Sequence, residues 1–170
     1  MDNFFSRRVQ NDREHSLEIE LPFLQRTLAG PFNLLPLMVR DPSPETMQAL
    51  AKALVQVLSQ RGVPHLLVAS SDLSHFYPQK TAKVLDQEML RRIAAFDPLA
   101  VLRAEDEGQG FACGRGPIAA VLWAAQALGA DRVEILKYAT SGDVTGDFSQ
   151  VVGYGAGVVL QTRNEIGNTV

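Results

Sequence analysis

The stretch that decides the fold is residues 65–76, His-Leu-Leu-Val-Ala-Ser-Ser-Asp-Leu-Ser-His-Phe. Its apolar run, residues 66–69, is followed by turn-prone residues, which is typical of a strand buried on both faces of a parallel sheet. Polar and ionisable side chains come directly after the run, namely Ser70, Ser71, Asp72, Ser74 and His75. Open α/β sheets place their ligand crevices at the carboxyl ends of such strands. We therefore expect the floor of a functional site here.

The segments on either side of this strand predict an α/β protein. Ser43 as N-cap and Pro44 at the first helical position predict a helix that ends near Arg61-Gly62, directly before the strand. A helix, a short loop and a strand in this order form the αβ half of a parallel unit. Helices are also predicted at 79–96, 98–102 and 116–129 and after Pro22 within 16–28, strands at 32–39, 133–138 and 151–160, and a polar loop at 140–149. The predicted fold class is α/β, with a mixed, largely parallel sheet flanked by helices.

Length and composition limit the class of protein. The chain has 170 residues, of which 46% are hydrophobic, enough for one domain with an ordinary core. The net charge of -3 and the absence of a basic run argue against nucleic acid or an anionic membrane as partner. One cysteine cannot form an internal disulfide, and no stretch of about 20 apolar residues is present. We predict a soluble, cytoplasmic single domain over 1–170, with residues 1–13 and 161–170 poorly ordered.

His75 and Asp72 are the first candidate pair. They are three residues apart after the predicted strand, so the carboxylate can accept a proton from one ring nitrogen and fix the tautomer. Such a pair suits a general base or a metal ligand. The alternative is an ordinary loop in which Asp72 and Ser74 only satisfy backbone donors. A hydrolase using Ser70 or Ser71 with His75 is the weaker hypothesis, because no Gly-x-Ser-x-Gly elbow is present.

Cys113 is the second candidate, and three roles are open to it. It lies at a predicted helix start, where amide groups and the helix dipole favour a thiolate. It is therefore a soft metal ligand, a nucleophile activated by His75, or an inert small core residue. By physics alone, His65 reads as a structural histidine at a strand start, and His15 as a surface histidine.

Four separate blocks of the sequence resemble the Memo family, whose bacterial and archaeal members are called AmmeMemoRadiSam system protein B. The blocks follow one another in the family's order from about residue 14 to residue 160. They are Glu14-His15-Ser16-Leu17-Glu18 with Leu21-Pro22-Phe23-Leu24, Ser70-Ser71-Asp72-Leu73-Ser74-His75, Ala112-Cys113-Gly114 with Pro117-Ile118, and Tyr138-Ala139-Thr140-Ser141-Gly142-Asp143 with Val151-Val152-Gly153-Tyr154.

The resemblance implies a fold like that of class III extradiol dioxygenases, whose non-haem iron is held by two histidines and a carboxylate. In Memo-like proteins a cysteine takes the place of the carboxylate. The resemblance therefore implies that His15 and Cys113 are metal ligands, and that His75, with Asp72 behind it, is the acid/base histidine. Imidazole with thiolate suits iron or copper, with zinc also possible.

One family motif is missing from this sequence. Family members carry a Pro-His-Ala-Gly motif upstream of the Glu-His-Ser block, and it supplies a further metal ligand. We expect a chain that lacks the family's N-terminal part, so that its metal site is incomplete unless His75 turns inward.

Two functions follow as expectations. One is a metal-dependent redox or dioxygenase-like enzyme acting on an unknown small molecule. The other is a non-catalytic protein that uses the vestigial metal pocket to bind a peptide or a protein partner. The family's name further implies association with a radical S-adenosylmethionine protein, although this chain has no Cys-x-x-x-Cys-x-x-Cys motif of its own.

Overall fold

The structure of the protein, a computed structural model, describes residues 16–60, 62 and 64–162. A short 3-10 helix, Glu18–Glu20, precedes the first α-helix. The elements that follow are α1 (Leu21–Thr27), α2 (Pro44–Ser59), β1 (His75–Tyr77), α3 (Gln79–Ala94), α4 (Pro98–Arg103), α5 (Arg115–Ala127), β2 (Arg132–Thr140), α6 (Gly142–Thr145) and β3 (Val151–Leu160).

Capping residues and prolines fix where three of the helices begin. The Ser43 side chain accepts a hydrogen bond from the amide of Thr46, and Pro44 occupies the first turn of α2. The Asp97 side chain caps α4 in the same way through Ala100. Pro22 lies in the first turn of α1, where its missing amide costs nothing. The predicted α/β class and the predicted helices are confirmed.

The sheet differs from the predicted one in direction. Its three strands have the order β1-β3-β2, and both neighbouring pairs are antiparallel. Strands β2 and β3 pair from Thr140 with Gly153 to Arg132 with Leu160, and His75 of β1 pairs with Val152. The largely parallel sheet that was predicted is therefore not what the described residues form. A short connection between β2 and β3 can only join antiparallel neighbours.

Two predicted strands do not form. Residues 66–69 and 32–39 belong to no strand, and most of their large apolar side chains are exposed, with Leu66 70% and Leu35 77% accessible. A strand requires a neighbour that pairs with its backbone groups, and no strand of the described part of the chain lies beside either segment. The prediction that residues 66–69 are buried on both faces is therefore wrong for this structure.

The core consists of two clusters. One, around Met89, Val101 and Leu122, lies between α3, α4, α5 and the sheet, and the other, around Met47 and Leu50, lies between α2 and α5.

Helix α3 packs closely on β3 because two glycines of that strand face it. A β-carbon on Gly155 would lie 2.8 Å from the Leu90 side chain, and one on Gly153 would lie 2.0 Å from the Asp86 carboxylate. Only bare backbone leaves room for the helix at this distance.

None of the helices in the described part of the chain combines the length and the apolar character that a membrane span requires. The expected poor order of residues 1–13 and 161–170 concerns positions that, apart from 161 and 162, lie outside the described residues. Thr162 donates hydrogen bonds to the Asp131 carboxylate from its amide and its hydroxyl. The single-domain extent of 1–170 stays a prediction.

Candidate functional site

The segments that carry Asp72 and Cys113 lie side by side, although 41 residues separate them in the chain. The Cys113 amide donates a hydrogen bond to the Asp72 carbonyl at 3.2 Å, and the Asp72 amide donates to the Cys113 Sγ at 3.2 Å. The Ser71 hydroxyl is a further 3.8 Å neighbour of the sulfur. Cys113 itself is exposed. The structure thus places an accessible sulfur, held by a backbone amide, next to the candidate acid/base pair.

Gly114 is what allows this approach. A β-carbon at this position would lie 2.4 Å from the Ser70 carbonyl oxygen and 2.6 Å from the Ser71 β-carbon, both far inside van der Waals contact. The Gly114 amide instead donates to the Ser71 hydroxyl at 2.8 Å. Cys113 is therefore fixed between the Asp72 segment and the start of α5, as its predicted position at a helix start indicated.

His75 and Asp72 contact each other at the same place. The His75 Nε2 lies 3.4 Å from the Asp72 Oδ2, a long hydrogen bond, with 27% and 47% of the two side chains exposed. The ring of Phe111 meets the imidazole edge-on, with the centroids 5.6 Å apart. The sequence predicted His75 in a loop, but this residue begins β1. Phe76, which follows it, has a left-handed φ of 62°.

The hydrolase hypothesis finds no geometry in its favour. The Ser70 hydroxyl donates to the Ser16 carbonyl and to Glu20, and the Ser71 hydroxyl donates to the Asp72 carbonyl. Within the described residues, neither hydroxyl has a hydrogen bond with His75. The two serines instead tie neighbouring segments together.

Below the site lies a carboxylate for which the sequence predicted no role. Asp86 on α3 is fully buried; it accepts hydrogen bonds from the Ser74 amide at 2.8 Å and the Tyr138 hydroxyl at 2.7 Å. Burial, followed by the hydrogen bond to Asp86, raises the pKa of Tyr138 far above its usual range. Asp86 thereby holds the backbone between Asp72 and His75. The Ser74 hydroxyl is buried without a hydrogen-bond partner among the described residues.

Tyr154 on β3 is a neighbour of Asp72 that sequence reasoning also missed. Burial, and after it the charge of Asp72, raises the pKa of this tyrosine. The register explains the proximity, because the Leu73 amide bonds to the carbonyl of Gly153, the residue before Tyr154. The Val-Val-Gly-Tyr block was the available signal, since it ends on this residue.

A cavity of about 280 Å³ opens beside Cys113. Its charged lining residues are Arg40, Glu105 and Arg115, and the last two form an ion pair. Its remaining lining residues are Val39, Pro42, Phe111, Ala112, Cys113, Gly116 and Pro117. The cavity lining therefore combines charged and apolar residues.

One of the two implied metal ligands, Cys113, lies within the described residues. His15 lies outside them, but Ser16, its neighbour, accepts the hydrogen bond from Ser70, two residues before Asp72. Cys113 fits a soft metal because its sulfur is exposed and held by an amide. Within residues 16–60, 62 and 64–162, no three His, Cys, Asp or Glu side chains come together as a metal site.

Comparison with known proteins gives a consistent result. A family model described as "Memo-like protein" matches residues 3–158. MEMO1 family proteins of Methanopyrus kandleri and Methanosarcina mazei are each 38% identical to the chain, over 84% and 86% of its length. The MEMO1 family protein of Aeropyrum pernix is 40% identical over 84% of the chain. The chain spans about half the length of the curated relatives it matches, 50% and 55% for the first two.

Proposed function

The chain belongs to the Memo family, and on that premise we propose that it carries a transition-metal site with a redox or dioxygenase-like activity on a small molecule. The observation that carries this proposal is the exposed Cys113 sulfur, which accepts a hydrogen bond from the Asp72 amide. The carboxylate of the same Asp72 contacts His75.

The donor set indicates which metal the site would take. Cys113 and His15 are the proposed ligands, and thiolate with imidazole favours iron or copper, with zinc also possible. When bound, the metal would supply Lewis acidity or one-electron chemistry. The bond between Ser70 and Ser16 supports His15 as a ligand, because it anchors the neighbouring residue close to the Cys113 segment.

His75 would move the proton. Asp72 accepts a hydrogen bond from Nε2, which leaves Nδ1 as the atom that takes a proton from a substrate hydroxyl and returns it. The ring of Phe111 packs against the imidazole in a T-shaped arrangement, which limits rotation of the imidazole. Tyr154, whose hydroxyl stays protonated near Asp72, is a hydrogen-bond donor for the same substrate.

Metal content tests the proposal. The purified chain is loaded anaerobically with iron(II), copper(I) or zinc and analysed for bound metal. We expect close to one equivalent, lost in Cys113→Ala and in His15→Ala and retained in the control His65→Ala. If the wild-type chain holds no metal above the level of Cys113→Ala, the metal site does not exist.

Turnover is tested separately. With iron(II) bound, oxygen consumption on catechol should fall by about 10²-fold or more in His75→Gln, the usual contribution of a general acid/base. A His75→Gln variant as active as the wild type would refute the proton-transfer role.

A second function, binding of a peptide without catalysis, is favoured by one observation. The segment 32–38 exposes five large apolar side chains, Phe32, Leu34, Leu35, Leu37 and Met38, at 37–77%. Metal bound without any oxygen consumption on catechol would favour this second function.

A further inference from the structure

The cavity beside Cys113 has the chemistry of an anion site. We propose that it binds a small organic carboxylate, held by Arg40, with the apolar end of the molecule against Phe111 and its reacting end toward Cys113. This inference rests on the proposed function, because it names the substrate class of the same site.

The charged residues of the cavity lining favour an anionic ligand. Glu105 and Arg115 neutralise each other as an ion pair, whereas Arg40 has no hydrogen bond or ion pair with any other described residue. One positive charge in the lining is therefore left for a ligand. A guanidinium matches the two oxygens of a carboxylate in a fork geometry.

The backbone positions Arg40 for this role. Asp41 accepts hydrogen bonds from the Ser43 amide at 3.0 Å and the Thr46 hydroxyl at 2.7 Å, so the turn directly after Arg40 is fixed to the start of α2. These bonds also lower the pKa of Asp41, with the Thr46 bond as the largest cause. The base of the arginine is thus attached to a helix terminus and not to a loose loop.

Gly116 allows the turn after Arg40 to pack close to Cys113. A β-carbon on Gly116 would lie 3.0 Å from the Pro42 side chain and 3.3 Å from Val39. The segment around Arg40 therefore packs directly on the first turn of α5, three residues from the cysteine. The positive end of the 13-residue helix α5 faces the same space and adds to the field of Arg40.

Size and apolar lining favour an organic acid over an inorganic ion. A volume of about 280 Å³ is close to the lower end for small-molecule sites, about 300 Å³, and far larger than a phosphate needs. Phe111, Pro42 and Pro117 supply the apolar wall, which gives a ring or a short chain surface to pack against.

The test uses the whole chain without metal, so its outcome does not depend on metal binding. Cys113 is the only cysteine, and its alkylation by neutral iodoacetamide reports on occupancy of the cavity. Benzoate is the probe, benzamide is its uncharged counterpart, and inorganic phosphate is the ionic control. We expect benzoate to slow the alkylation and the two others to leave it unchanged.

Arg40→Gln should weaken the benzoate effect by about tenfold or more in apparent Kd, the usual value of a hydrogen bond to a charged group. The matched control Arg132→Gln removes the same charge at the far end of β2 and should leave the benzoate effect unchanged. Equal protection by benzamide or phosphate, or equal protection by benzoate in Arg40→Gln, would overturn the inference. Failure of the proposed function appears elsewhere, as a wild-type chain that holds no metal.

Discussion

At the scale of single residues, Asp86 connects the core to the candidate site. Its carboxylate is fully buried and accepts two hydrogen bonds, one from a backbone amide and one from a tyrosine. A buried acceptor of this kind is expensive to remove, because its donors lose their partner and stay away from water. The residue therefore links the stability of the core to the shape of the Asp72–His75 segment.

Replacement of Asp86 by leucine should lower the free energy of unfolding by about 2–6 kcal/mol, because the Ser74 amide and the Tyr138 hydroxyl each lose a buried partner at about 1–3 kcal/mol. Urea denaturation measures the change. Tyr138→Phe is the matched control: it removes one of the two donors together with its bond, and about 1 kcal/mol is expected. An Asp86→Leu variant as stable as Tyr138→Phe would contradict this account.

Asp86 also shows why the sequence could not predict which residue supports the Asp72–His75 segment from below. In the sequence it stands between Leu85 and Gln87 of a predicted helix, where a carboxylate usually faces solvent. Gly153, 67 residues later, is what opens a space for it. The proximity of Asp72 and Cys113 could not be read from spacing, because 41 residues separate them; a Cys113 activated by His75 was one of three open roles, and the resemblance to a family favoured a shared site.

At the scale of elements, Arg92 joins α3 to α4 and to the turn after it. Its guanidinium is 7% exposed and contacts Glu88 at 2.7 Å, Glu107 at 2.7 Å and the Ala100 carbonyl at 2.9 Å. Hydrogen bonds from Arg91, and next from Arg92, lower the pKa of Glu88 to about 2. The carboxylate of Glu88 is thus one of two counter-charges that keep a nearly buried cation in place.

This cluster predicts an acid-dependent loss of stability. Because the pKa of Glu88 is lower in the folded chain than its ordinary value of 4.5, its contribution is present above pH 4.5 and is lost as the pH falls toward 2. The Tm measured from pH 6 to pH 2 should therefore fall less steeply in Glu88→Gln than in the wild type. Asp106→Asn, which removes an exposed carboxylate of the neighbouring turn, should keep the wild-type slope. Equal slopes for wild type and Glu88→Gln would refute the role of this cluster.

The elements differ in how far local sequence determines them. Helix α2 was predicted to its first residue, because Ser43 and Pro44 act within one turn of the chain. Strand β3 was predicted over 151–160 and confirmed. The strand prediction for residues 66–69 was wrong because an apolar pattern indicates only which side chains a strand would bury. Whether a strand forms also depends on a neighbouring strand, which the local sequence does not specify.

At the scale of the whole molecule, two segments expose large apolar side chains. Leu66 and Val68 are 70% and 47% exposed, and the segment 32–38 adds further apolar side chains. Extended segments that carry unpaired backbone groups and apolar side chains favour association between copies.

We therefore expect concentration-dependent self-association. Sedimentation velocity at increasing protein concentration should show a rising average sedimentation coefficient for the wild type and a smaller rise for Leu66→Lys. The unfolding free energy should change by less than about 0.5 kcal/mol, because the side chain is already exposed. Val144→Lys, at a 91% exposed position of α6, is the control and should associate like the wild type. A wild-type chain that stays monomeric would contradict the prediction.

The two glycines of β3 that face α3 have a consequence for how the molecule opens. Asp86 and Leu90 are one helical turn apart, and each lies over its own glycine, so α3 fits β3 in a single register and cannot slide along it. Because α3 cannot slide along β3, it must separate from this strand as a whole. The amide protons of α3, β2 and β3 would then exchange with solvent through one shared opening event. The amide protons of the Asp72–His75 segment would exchange as slowly as those of the core that supports it.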